Sequence, residues 1–177
     1  MKDSRLGTYG VVGLILILSL KFLLLLELMQ FFPIELVAVA LIAAQANSRF
    51  WATTIMQKLP YVQDIDTSKS KPLADRILTK AEMGVLALGS LVPLTLVFIL
   101  IYSTIDQLDS LLFSYGFASW LFFFILWVQV PAYLVQIFAG NYFMRWIGGY
   151  TGDCLGTTQQ VCEIAFYLGC LLLWKFI

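Results

Sequence analysis

The chain has 177 residues, 60% of them hydrophobic, with mean hydropathy +0.87 and eleven basic side chains balanced by eleven acidic ones. Soluble domains are typically about half apolar; the surplus here needs lipid to cover it, which excludes an ordinary soluble domain and points to an integral membrane protein. Zero net charge implies no basic surface for nucleic acid, and the absence of His excludes His-based triads, bases and ligands, so any metal would sit on carboxylates and water, as suits Mg²⁺ or Mn²⁺ rather than Zn²⁺.

In chain order, KDSRLGTYG comes first: Lys2 and Arg5 can neutralise phosphate, Arg in a bidentate way, and Asp3 can join a metal. The same residues also suit a plain positive flank beside a membrane helix. The run 9–32 predicts a first spanning helix of about 20 apolar residues. It is too long for a signal-peptide core and lacks a small-residue cleavage site, so no cleavable signal is read. Lys21 sits mid-span; Glu27, six residues on, is about 120° off its face, so the two make a poor helical pair. Phe32-Pro33 ends this helix and opens the next, over 34–56, because proline suits a helix start. Asn47, Ser48 and Arg49 put polar groups near its far end.

The long polar stretch is 57–82, where Asp64 and Asp66 form a D-x-D pair with Lys69 and Lys71 nearby. The pair is as compatible with a surface loop as with a metal–nucleotide site. Further spans are predicted over 83–105 and 116–139, with a loop over 140–151 carrying Arg145, and a last span over 155–176. That gives an all-α fold, a polytopic membrane bundle of about five transmembrane helices, as a single membrane domain over residues 1–177. Lys and Arg occur in the N-terminal segment, in 57–82 and in 140–151, but not at the Pro33 turn or in 106–115. This alternation predicts the N-terminus in the cytoplasm and the C-terminus outside, with Lys175 as the exception. The positive segments then share one cytoplasmic face.

Between the last two spans lies GGYTGDCLG, with four glycines in nine residues. Gly148-Gly149 permits a turn that a Cβ would obstruct and exposes N–H groups, and Thr151 or Asp153 can cap the helix that follows. A glycine turn entering a helix N-terminus can bind an anion, and Asp153 can either cap or hold a divalent ion that itself holds phosphate. Glu163, with Gln159 and Gln160, places polar groups in a spanning helix, where a carboxylate faces a cavity or a partner. Cys154, Cys162 and Cys170 are eight residues apart, match no zinc or redox spacing, and read as small buried apolar side chains.

MKDSRLGTYGVVGLILILSLKFLLLLEL and RWIGGYTGDCLGTTQQVCE together resemble the adenosylcobinamide-GDP ribazoletransferases, or cobalamin synthases, over essentially the whole chain. The first motif, M-[KR]-D-S-R-[IL]-G-x-x-G, is met at Met1, Lys2, Asp3, Ser4, Arg5, Leu6, Gly7 and Gly10. The second, G-G-x-T-G-D-x-L-G-A, is met at Gly148, Gly149, Thr151, Gly152, Asp153, Leu155 and Gly156. Ser48-Arg49, and Lys21 with Glu27, also resemble family positions. Thr157 replaces the usual Ala, and Gln160 stands where many members carry Glu. The chain resembles the C-terminal part of the family fold. The H-x-D-G-x-x-D-x-x-D-G-like stretch that precedes it in the family, with aspartates expected to bind Mg²⁺, has no counterpart here.

The resemblance implies transfer of the cobinamide phosphate of adenosylcobinamide-GDP to α-ribazole or its 5′-phosphate. GMP leaves, and adenosylcobalamin or its 5′-phosphate forms at the cytoplasmic face of a bacterial inner membrane. It implies Mg²⁺ on Asp153, with Asp3 a second ligand for the same ion. Lys2, Arg5, Arg49 and Arg145 would pair with phosphates, Gly148 and Gly149 would admit the nucleotide to the backbone, and Glu163 would act as an acceptor or base. Three readings stand beside it: a catalytically incomplete membrane fragment or subunit, a CDP-alcohol type of Mg²⁺-dependent phosphotransferase, whose D-G-x-x-A-R signature is absent, and a small transporter. Oligomeric state is left open.

Overall fold

The computed structural model describes residues 8–62, 78–106 and 117–176. Among them the chain is all-helical, with five helices: α1 (Thr8–Phe31), α2 (Ile34–Lys58), α3 (Lys80–Asp106), α4 (Phe117–Ile147) and α5 (Gly152–Phe176). Each predicted apolar run became one helix, but several ends moved. α3 starts three residues before the predicted Met83. Its cap is the reciprocal box Thr79–Glu82, in which the Thr79 N–H and hydroxyl donate to Glu82 Oε2 at 2.8 and 3.1 Å while the Glu82 N–H donates to Thr79 Oγ1 at 3.3 Å. The loop predicted over 140–151 is mostly helix instead, because α4 runs on to Ile147. Gly140 does not stop it; Gly148 does, taking φ +77° and donating its N–H to Met144 O at 3.2 Å. Arg145 therefore sits in a helix's last turn, where a cation complements the dipole.

Among the described residues three helices are long and apolar enough to cross a membrane, over Gly10–Phe31, Lys80–Leu100 and Phe122–Ile147. Only 11%, 22% and 22% of these stretches are buried, so their apolar side chains face outward, where a bilayer would cover them. α2 and α5 carry more polar side chains and pack more extensively on each other than on α1. α2 buries small residues, Ala40, Ala43, Ala44 and Ala52, which lets neighbouring helices approach closely. The main core gathers Leu24 and Leu28 of α1, Leu36 and Val37 of α2, Leu94, Val97 and Phe98 of α3, Phe124 and Val128 of α4, and Phe166 and Tyr167 of α5. The polar helices thus lie inside and the apolar ones around them, as a helical membrane protein requires.

Candidate functional site at the glycine hinge

A second, smaller core packs Ile55, Phe143, Tyr150 and Cys154 where α2 ends, α4 ends and α5 begins. Here the hinge docks on the segment that follows α2. The Tyr150 N–H donates to Pro60 O at 2.9 Å and the Val62 N–H donates to Tyr150 O at 3.1 Å, a two-bond parallel bridge. The Tyr61 and Tyr150 rings meet edge to face, centroids 5.3 Å apart. Burial pushes the Tyr150 phenol above its ordinary value of 10.0, and Tyr61 adds to the shift. The two glycines have different tasks. Gly148 supplies the left-handed turn, with open space around it. A Cβ on Gly149 would lie 2.2 Å from Pro60 O and 2.4 Å from Val62 Cγ2, so this position exists for close backbone approach.

Thr151 stands just ahead of α5, its hydroxyl 3.3 Å from Cys154 Sγ. Asp153 lies in the first helical turn and is exposed, its side chain without hydrogen bond or ion pair among the described residues. A carboxylate there is favoured by the helix dipole and is open to a ligand. Gly148 and Gly149 stand between the exposed Arg145, in the last turn of α4, and Asp153, in the first turn of α5. Arg49 is also exposed, but it is nine residues before the end of α2, roughly 13 Å along the axis. Lys2, Asp3, Arg5, Asp64, Asp66, Lys69 and Lys71 lie outside the described residues. Among the described residues no three His, Cys, Asp or Glu side chains gather as a metal cluster.

Glu163 is not at the hinge. It is eleven residues into α5, about 16 Å along the axis from the start of the helix. It is 2% exposed and forms an ion pair with Lys21 of α1. The Lys21 ammonium also donates to Gln160 Oε1 at 2.7 Å, and the Ser48 hydroxyl lies 3.3 Å from Glu163 Oε1 and 3.1 Å from Gln45 O. Lys21 thus has its partner on another helix; Glu27 is exposed. One turn of α2 away, Trp51 donates its indole N–H to Gln129 Oε1 of α4 at 2.8 Å. Asn47, fully buried, has no partner for either side-chain polar atom among the described residues. Sequence reasoning isolated Lys21 and Glu163 but could not pair them, because helical periodicity carries no cross-helix register.

Comparison with known proteins bears on this geometry. The profile of the cobalamin-5-phosphate synthase family matches residues 1–171. The chain belongs to that family. It is 42% identical over 169 residues to an adenosylcobinamide-GDP ribazoletransferase of Shewanella frigidimarina, covering 95% of this chain and 55% of the relative. It is 36% identical over 177 residues to the Leptospira interrogans protein of that name, covering 100% and 60%, and 41% identical over 170 residues to that of Vibrio cholerae, covering 95% and 54%. The chain thus spans a little over half the length of these relatives. No solved structure matches it.

Proposed function

We propose that this chain carries the hinge part of the active site of an adenosylcobinamide-GDP ribazoletransferase in a bacterial inner membrane. The observation that carries the reading is the docked hinge. The family match covers it, and it holds an exposed, unpartnered Asp153 at a helix N-terminus, with Arg145 in the last turn of the helix before it. All five helices cross the bilayer, and the hinge lies at the cytoplasmic face, as the distribution of Lys and Arg supports.

In the proposed reaction a ribose hydroxyl of α-ribazole, or of α-ribazole 5′-phosphate, attacks the phosphorus attached to cobinamide. The P–O bond to GMP breaks, GMP takes the electron pair, and the hydroxyl's proton passes to water or a base. Negative charge grows on the leaving GMP and on the equatorial oxygens. Arg145 approaches that charge as a cation, and the turn at Gly148–Gly149 brings backbone close to the diphosphate. Arg49 lies further along α2; Lys2 and Arg5 are further cations assigned by motif. Mg²⁺ fits this hinge in the mode it prefers, one or two carboxylates with water and substrate phosphate oxygens, so Asp153 would hold it, with Asp3 a second ligand by motif. Bound there, it would neutralise diphosphate charge.

The test is GMP release by membranes containing the chain, supplied with adenosylcobinamide-GDP, α-ribazole and Mg²⁺. Asp153→Asn should abolish release while leaving the folded protein intact, since the side chain is exposed. Undiminished release by that variant refutes the metal assignment, and no release by the unmodified chain refutes the claim of activity for this chain.

A further inference from the structure

The Lys21–Glu163 pair lies about 15 Å from the hinge, too deep for either side chain to reach a phosphate bound there. Its use has to be sought in what it connects. α1 is the most outward-facing of the three strongly apolar helices, and its described core contacts are apolar: Ile17, Leu24, Leu25 and Leu28. Leucine faces in lipid slide past one another at little cost, because lipid tails are as apolar as leucine. A charge pair in that medium does not slide. One turn above and below Lys21 on α1 stand Ile17, Leu18, Leu24 and Leu25, and one turn beyond Glu163 on α5 stand Phe166 and Tyr167. Shifting α1 by one turn, about 5.4 Å, would leave Glu163 facing apolar side chains of α1 in either direction, and would set Lys21 against Phe166 and Tyr167 in one direction and against the uncharged Gln159 and Gln160 in the other.

The pair is also braced on a third helix, since the Ser48 hydroxyl of α2 lies beside Glu163 while Gln160 holds Lys21. α1 turns back into α2 through Phe32-Pro33, so α1 begins at the end of the bundle where α2 finishes and α5 starts. We infer that Lys21 and Glu163 are positioning residues: their ion pair fixes the register of α1 against α5, and so sets the first turn of α1 level with the hinge. This rests on the function proposed above only for its kinetic consequence. It gives Glu163 a role that does not touch substrate, unlike a base.

The test uses the full chain in membranes, with Cys154, Cys162 and Cys170 replaced by Ala. Single cysteines are placed along α1 at Gly10, Gly13 or Ile17 and along α5 at Gly152, Gly156 or Gln160, and oxidative cross-linking between them reports the register. The unmodified pair and the exchanged pair, Lys21→Glu with Glu163→Lys, should give the same cross-linking pattern; Glu163→Leu should blur it. GMP release should fall about a hundredfold in kcat in Lys21→Met and Glu163→Leu, as for misplaced reacting groups, with KM moved little. The exchanged pair should recover most of it. An unchanged pattern in Glu163→Leu overturns the register role. A restored pattern without restored turnover in the exchanged pair shows that Glu163 acts on substrate directly, and overturns the positioning role. If the unmodified chain releases no GMP, the proposed activity fails, and cross-linking alone still decides the register.

Discussion

Gly149→Ala isolates the close approach on which the hinge is built. The new Cβ would sit 2.2 Å from Pro60 O and 2.4 Å from Val62 Cγ2, and the first of these is backbone that cannot rotate away. Restoring ordinary contact requires the hinge and the segment after α2 to part by more than about 1 Å, which no core accepts without loss. That separation breaks the Tyr150–Pro60 and Val62–Tyr150 hydrogen bonds. Each is worth about 1 kcal/mol net, and residual crowding adds about 1 kcal/mol, so the expected loss is about 3 kcal/mol. Gly148→Ala is the control. Its φ of +77° costs an L-residue about 1 kcal/mol, and nothing lies within 4 Å of the added carbon. Equilibrium unfolding of the purified protein in detergent, followed by tryptophan fluorescence, should rank the variants in that order. Limited proteolysis should cut Gly149→Ala near residues 59–62. If Gly148→Ala is the more damaging, or Gly149→Ala unfolds like the parent, close docking is not what the second glycine is for.

The buried ion pair should behave as a unit in the same unfolding assay. Lys21→Met or Glu163→Leu strands one charge and should cost about 3–5 kcal/mol, while the double variant should recover most of that loss; additive losses would mean the two groups do not interact. Asn47→Leu removes a fully buried amide with no partner among the described residues and should be neutral or stabilise by about 1 kcal/mol. A loss larger than that would reveal a partner for the amide. Tyr150 gives an alkaline limit. Its phenol is held above the ordinary 10.0, so the unfolded chain ionises first, and the stability from the neutral phenol is present below about pH 10 and is lost as pH rises beyond it. Tyr150→Phe should flatten the alkaline decline in a pH series of unfolding midpoints; an unchanged slope would assign it elsewhere.

The number and order of helices were legible because lipid imposes one dominant signal, a run of about twenty apolar residues, that needs no tertiary context. Helix ends were harder. NYFMRWI reads as a loop by its polar residues and preceding glycine, yet it continues α4, because Gly140 meets open space and only Gly148 adopts a conformation that ends a helix. The start of α3 was legible in T-K-A-E, a capping box overlooked in favour of hydropathy. Of the hinge, the turn was foreseen, but not that Tyr150 would pair with Pro60 and Val62. The hint was a second glycine where one suffices for turning.

The burial pattern gives α1 a second task that follows from the first. α2 and α5 bury Asn47, Ser48, Thr158 and Glu163. A carboxylate at this depth is tolerated only inside protein or beside a cation. α3 and α4 cover much of the α2–α5 pair, while Glu163 meets its cation on α1. If α1 moved away, Glu163 would lose its cation and its cover together, and the penalty for an unpaired carboxylate would fall on α5, the helix whose first turn carries Asp153. The ordering of the hinge's own helix and the seating of α1 are therefore coupled through one contact. A change at Lys21 should loosen the hinge from about 15 Å away, with no altered residue near it. Protease sensitivity of residues 148–151 in Lys21→Met, compared with the parent, reads that coupling directly; equal sensitivity would show that the start and the middle of α5 respond independently.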